Sequence, residues 1–147
     1  MRELDLVRHL QPAFTEVLET MFFTSVLDTC GGVPAGTSAV SSRLTFRGDP
    51  SGVFEIGITY EAARSLAAGF LGEDEQDLSE GRAGDVVCEL ANMLCGSVLS
   101  RIGSDFTFEL SHPEIVDGKL DAPDTSLCFE LPEGMLAVAI RFEAVAA

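Results

Sequence analysis

The sequence predicts an α/β (α+β) fold in which an antiparallel sheet backs two long helices running side by side, and three observations carry that prediction. Two stretches, roughly residues 12–28 and 80–102, repeat apolar side chains at helical spacing. Several shorter runs rich in β-branched and apolar types are separated by Gly- and Pro-containing turns. The second half of the chain also repeats the element order of the first, as expected of an internal duplication. With 147 residues and a 46% apolar fraction, the chain reads as a single domain, residues 1–147, with enough apolar side chain for a real core.

Pro12 suits the first turn of a helix, and Phe14, Val17, Leu18, Met21 and Ser25 follow at helical spacing until Cys30-Gly31-Gly32 breaks the pattern. Residues 38–47 and 52–59 form a β-hairpin around Gly48-Asp49-Pro50-Ser51-Gly52. The Ala-rich stretch 60–71 predicts a shorter helix ending at Gly72, ahead of an acidic loop at 73–77. The second long helix runs from Glu80 or Gly81 to Ile102. Strands follow at 106–110, 127–131 and 135–143, the last two joined by Pro132-Glu133-Gly134. The repeat aligns residues 16–26, EVLETMFFTSV, with 89–99, ELANMLCGSVL, and hairpin 44–58 with hairpin 127–140.

A formal net charge of −15 argues against nucleic acid as a partner, because counterion release requires a cationic surface. The opening MRELDLVRHL lacks an export signal's apolar run, and GMLAVAI is too short to span a bilayer, so a cytoplasmic protein without membrane contact is expected. Cys30, Cys88, Cys95 and Cys128 show no C-x-x-C pair and sit among apolar neighbours, which reads as reduced, buried thiols. Cys88 and Cys95 lack a zinc-site spacing with His9 or His112, so no metal site is assigned. The two histidines read as loop or surface residues, Gly31-Gly32 with Gly36 lacks the Lys of a phosphate loop, and the acidic run reads as a solvated loop.

Turning by about 100° per residue, the second long helix collects Val87, Leu90, Leu94 and Val98 on a core-facing stripe. Its opposite face carries Asp85, Glu89, Asn92, Gly96 and Ser100. An acid and an amide three residues apart are common on surface helices, so the pair alone says little. Asn is a poor helix-interior residue and Gly costs roughly 1 kcal/mol relative to Ala, so Asn92 and Gly96 one turn apart give up local stability. The glycine also strips that turn of side chain and lets another surface approach.

This pattern resembles the CheC, CheX and FliY phosphatases of bacterial chemotaxis and is most similar to the CheX group. Their signature, an Asp or Ser followed by E-x-x-N on a long helix and then a Pro, reads here as Asp85, Glu89, Asn92 and Pro113. The flanking ELANMLCGSVLSRIG, LSHPEIVDG and QPAFTEVLETMF are of the same kind. The resemblance implies a phosphatase that hydrolyses the aspartyl phosphate of a CheY-like response-regulator receiver, with Mg²⁺ supplied by the receiver and no cofactor bound by this chain. Asn92 would orient the attacking water without bringing negative charge to the phosphoryl group, and Glu89 would dock on the receiver's Lys. Asp85, Gly96, Ser100 and Pro113 would complete the docking surface.

In the aligned first helix, Glu16 matches Glu89, but Glu19 replaces Asn92 and Phe23 replaces Gly96, so one working site per chain is expected. The resemblance also implies a homodimer that pairs sheet edges. Two other classes remain open: a non-catalytic receiver-binding adaptor and a small-molecule sensor sharing the fold.

Overall fold

A computed structural model describes residues 2–31, 37–102 and 107–143. Apolar side chains recur along the N-terminal residues from Leu6 and Leu10 through Ala13, Phe14, Val17 and Leu18, all of them buried. Helix α1 therefore spans Arg2–Met21 instead of 12–28, and Pro12 lies inside it. Proline lacks the N–H for an intrahelical bond, a loss tolerated here because Pro12 is on the exposed side, where water can satisfy the freed carbonyl. His9 accordingly belongs to a helix and not to a loop.

The helix stops in a Schellman-type turn: the N–H groups of Phe22 and Thr24 both donate to the Leu18 carbonyl, at 3.2 and 3.1 Å. Phe23 occupies the left-handed position at φ 56°. Phe22 takes the core position predicted for Met21 and stacks on Phe70 at 4.9 Å, while Met21 remains 43% exposed.

Strand β1, Asp28–Cys30, follows. The hairpin β2, Ala39–Arg47, and β3, Gly52–Thr59, matches expectation. So does α2, Tyr60–Leu71, whose left-handed Gly72 at φ 68° donates its N–H to Ala68. The acidic stretch is not a plain solvated loop. It holds a 3₁₀ turn at Glu75–Asp77, Arg64 donates to the Glu75 and Leu78 carbonyls, and Glu73 pairs with Arg82. Ser79 then caps α3, Glu80–Ile102, its Oγ accepting the Arg82 N–H at 3.2 Å.

Beyond α3 come β4, Glu109–Leu110, β5, Glu114–Val116, β6, Thr125–Leu131, and β7, Gly134–Phe142. The predicted strand at 106–110 is thus only Glu109–Leu110 among described residues, with Phe106 outside them. Neither β1 nor β5 was anticipated.

The antiparallel sheet runs β1-β6-β7-β3-β2-β4, with β5 also pairing with β2. The order has an approximate two-fold centred between β7 and β3: each hairpin carries, on its outer strand, a short strand from the other half of the chain. The helices pack on one face, where Phe14 meets Phe54 and Phe129 at centroid distances of 6.3 and 5.3 Å.

The segment from β5 to β6 crosses the opposite face. Its Leu120 is buried and donates its N–H to Glu55 Oε2 at 3.0 Å, while Glu55 Oε1 holds Arg43 at 2.7–2.8 Å. Arg141 donates to the Asp121 carbonyl, and the Phe142 N–H donates to Asp124.

Two cysteines depart from the reduced-thiol expectation. Cys30 of β1 and Cys128 of β6 are directly opposed in the sheet register and joined by a disulfide. Cys88 and Cys95 are free thiols, and burial pushes the Cys95 thiol far above its ordinary value.

Candidate functional site

Helix α3 turns Val87, Leu90, Ala91, Leu94, Cys95 and Val98 into the core, which fixes the outward direction of its other side. By length and composition α3 could cross a bilayer, but its apolar residues are packed within the protein. The outward side does not face open solvent throughout. The strand pairs β2–β4 and β2–β5 bring Leu110–Ile115 alongside it. Two glycines of α3 lie under this segment: a Cβ on Gly84 would touch Ile115 at 3.6 Å, and one on Gly96 would come within 4.0 Å of Leu110. Asn92 and Gly96 are consequently half-buried, whereas Asp85 and Glu89 are exposed.

Between helix and segment lies an open groove of about 830 Å³. Asp85, Cys88, Glu89 and Asn92 line the helix side, and Leu110, Ser111, His112, Pro113, Glu114 and Ile115 line the other. The structure thus brings Asp85, Glu89, Asn92 and Pro113 together. Gly96 borders Leu110 beyond the end of the groove, and Ser100 lies apart, its Oγ donating to the Ser97 carbonyl at 2.9 Å. Ser111, His112, Glu114 and Ile115 were missed as site residues. Their local signal was Pro113, which holds the preceding residue extended, but their placement depends on pairing with distant β2.

The side chains of Asp85, Glu89 and Asn92 make no hydrogen bond or ion pair among the described residues. Some other carboxylates do: Glu16 pairs with Arg101, Glu55 with Arg43, Glu73 with Arg82, and Glu133 accepts the Thr24 hydroxyl. The polar groups of the groove are therefore open to anything that enters it. Cys88, half-buried, faces the Ser42 hydroxyl at 3.3 Å. Among the described residues no cluster of His, Cys, Asp and Glu could hold a metal.

Fold and groove together define a two-layer domain that offers unpaired polar side chains on an open surface instead of enclosing a small molecule. The chain belongs to the CheX family: the family model described as "Chemotaxis phosphatase CheX" matches residues 40–130. Among solved structures, the chain is similar to chemotaxis protein CheX from Vibrio vulnificus at 23% identity and TM-score 0.73, covering 94% of this chain and 96% of that one. A CheC-like superfamily protein from Shewanella sp. PV-4 shares 22% identity at TM-score 0.75, covering 96% and 99%. The CheX of the CheX–CheY–BeF₃–Mg²⁺ complex from Borrelia burgdorferi shares 20% identity at TM-score 0.70, covering 94% and 97%. No curated protein matches the sequence.

Proposed function

We propose that this chain hydrolyses the aspartyl phosphate of a CheY-like receiver, with Asn92 orienting the water and Glu89 holding the receiver. The observation that carries this reading is the convergence of Glu89, Asn92 and Pro113 on one groove in a CheX-family chain, with the acid and amide unpaired. The Borrelia relative was captured with CheY, BeF₃ and Mg²⁺, and beryllofluoride is a chemical stand-in for a phosphoryl group.

An acyl phosphate is already reactive, so catalysis chiefly requires a water placed in line with the scissile P–O bond. The Asn92 amide offers that water both a donor and an acceptor and adds no negative charge. Water oxygen bonds to phosphorus, the bond to the receiver's aspartyl oxygen breaks, and aspartate and inorganic phosphate leave. The receiver supplies the Mg²⁺ and a Lys, and Glu89, exposed one turn from Asn92, reaches that Lys in a charge-assisted contact. Asp85 and Pro113 frame the docking surface, with Gly96 and Ser100 extending it along α3.

The same reading takes the chain as a single cytoplasmic domain, where receivers reside, and as a homodimer joined through its exposed sheet edges. The rival is an adaptor that binds the receiver without turnover. Mixing the protein with a phosphorylated CheY receiver and Mg²⁺ decides between them. We expect a shortened phosphoryl lifetime; an unchanged lifetime despite measurable binding would establish the adaptor.

A further inference from the structure

The groove is acidic on both walls. Asp85 and Glu89 stand on α3 and Glu114 on β5, and among the described residues no Lys or Arg lines it. An aspartyl phosphate entering this groove brings more negative charge to three carboxylates, and like charges repel. Among the described residues that line it, His112 has the one side chain able to carry a positive charge.

His112 sits between two fixed points. Ser111 is tied twice to β2: its N–H donates to the Thr45 carbonyl at 2.9 Å, and its Oγ accepts the Thr45 N–H at 2.8 Å. Pro113 on the other side restricts His112 to extended backbone. The imidazole is exposed and makes no hydrogen bond or ion pair among the described residues. A pinned backbone with an unpaired donor, on the wall facing the helix that carries Asn92, suits recognition of an anion better than it suits fold stability.

Resting on the receiver reading above, we infer that His112 reads the phosphorylated state, its ring N–H donating to a phosphoryl oxygen of the docked receiver across the groove from Asn92. It answers the anion while Glu89 answers the receiver's Lys. The groove thereby selects the phosphorylated form despite its own acidity.

The experiment compares affinity for a CheY receiver loaded with Mg²⁺ and beryllofluoride against the same receiver with Mg²⁺ alone. Wild type should prefer the loaded form, and His112→Ala should cut that preference about tenfold while leaving affinity for the unloaded receiver intact. His112→Gln, which keeps an N–H donor without the charge, should recover part of it. In parallel turnover assays the loss should fall on KM and spare kcat, because the contact forms in ground and transition states alike. A His112→Ala protein with undiminished preference, or a wild type with none, overturns the inference. A wild type without turnover but with a His112-dependent preference refutes the phosphatase reading and upholds this one.

Discussion

Helices α1 and α3 occupy related places in a duplicated fold, and their outward faces have gone separate ways. On α3 the acid and amide stand unpaired beside a groove whose far wall is Leu110–Ile115. On α1 the equivalent Glu16 is tied to Arg101, and the Thr20 hydroxyl donates back to the Glu16 carbonyl at 2.6 Å. Glu19 stands where Asn92 would be, and the residue matching Gly96 is Phe23, 80% exposed just past the helix end. The strand following α1 is bonded through Cys30 to Cys128 at one end of the sheet and does not wall a groove with Glu16 and Glu19. On α3 both members of the pair stay unpaired; on α1 the acid is bound to Arg101 and a second acid, Glu19, stands in place of the amide.

The sharpest way to break this contrast is to exchange the amide. Asn92→Ala should lower phosphatase turnover about a hundredfold or more with much of the receiver binding retained, whereas Glu19→Ala should leave turnover unchanged. Full activity in Asn92→Ala would remove the water-orienting role. Next in size, Glu89→Ala should weaken receiver binding and hydrolysis together, by roughly tenfold. Glu16→Ala should alter neither and cost under about 1 kcal/mol in denaturant unfolding, since its ion pair with Arg101 is solvent-exposed.

The smallest effects concern the paired positions Gly96 and Phe23. Gly96→Ala should stabilise the protein by up to about 1 kcal/mol, because its Cβ meets only Leu110 at an ordinary contact distance, yet weaken receiver binding. Phe23→Gly should also stabilise, by about 1 kcal/mol, since glycine accepts the left-handed backbone freely, and should leave hydrolysis untouched. A gain in receiver affinity from Gly96→Ala would show that the bare turn is not a docking feature.

These contrasts follow the line between what the sequence revealed and what it did not. Strand Gly52–Thr59 and helix Tyr60–Leu71 were legible almost to the residue, because Gly72 and the Gly48–Gly52 turn mark their ends locally. The outward set Asp85, Glu89 and Asn92 followed from helical rotation alone. Helix α1 was misread because Pro12 looked like a start and the polar opening hid the periodicity of Leu6 and Leu10. Strands β1 and β5 have three residues each and exist through pairing with β6 and β2, which no local pattern encodes. The disulfide joins positions 98 residues apart that only the sheet register brings opposite one another. For the same reason, half of the groove stayed invisible.

The segment crossing the back of the sheet carries one more consequence, for when the groove comes into being. Thr45 anchors Ser111 in the groove's outer wall, and Glu55 anchors Leu120 in the segment that continues from that wall across the back of the sheet, 66 and 65 residues apart. Pairings so distant in sequence close slowly, because chain entropy must be spent before they form. The hydrogen bonds of α3 close within the helix, whereas the groove beside it exists only once these distant pairings are made. Competence toward a partner is therefore a property of the finished molecule, and its loss should report partial unfolding before helical content declines.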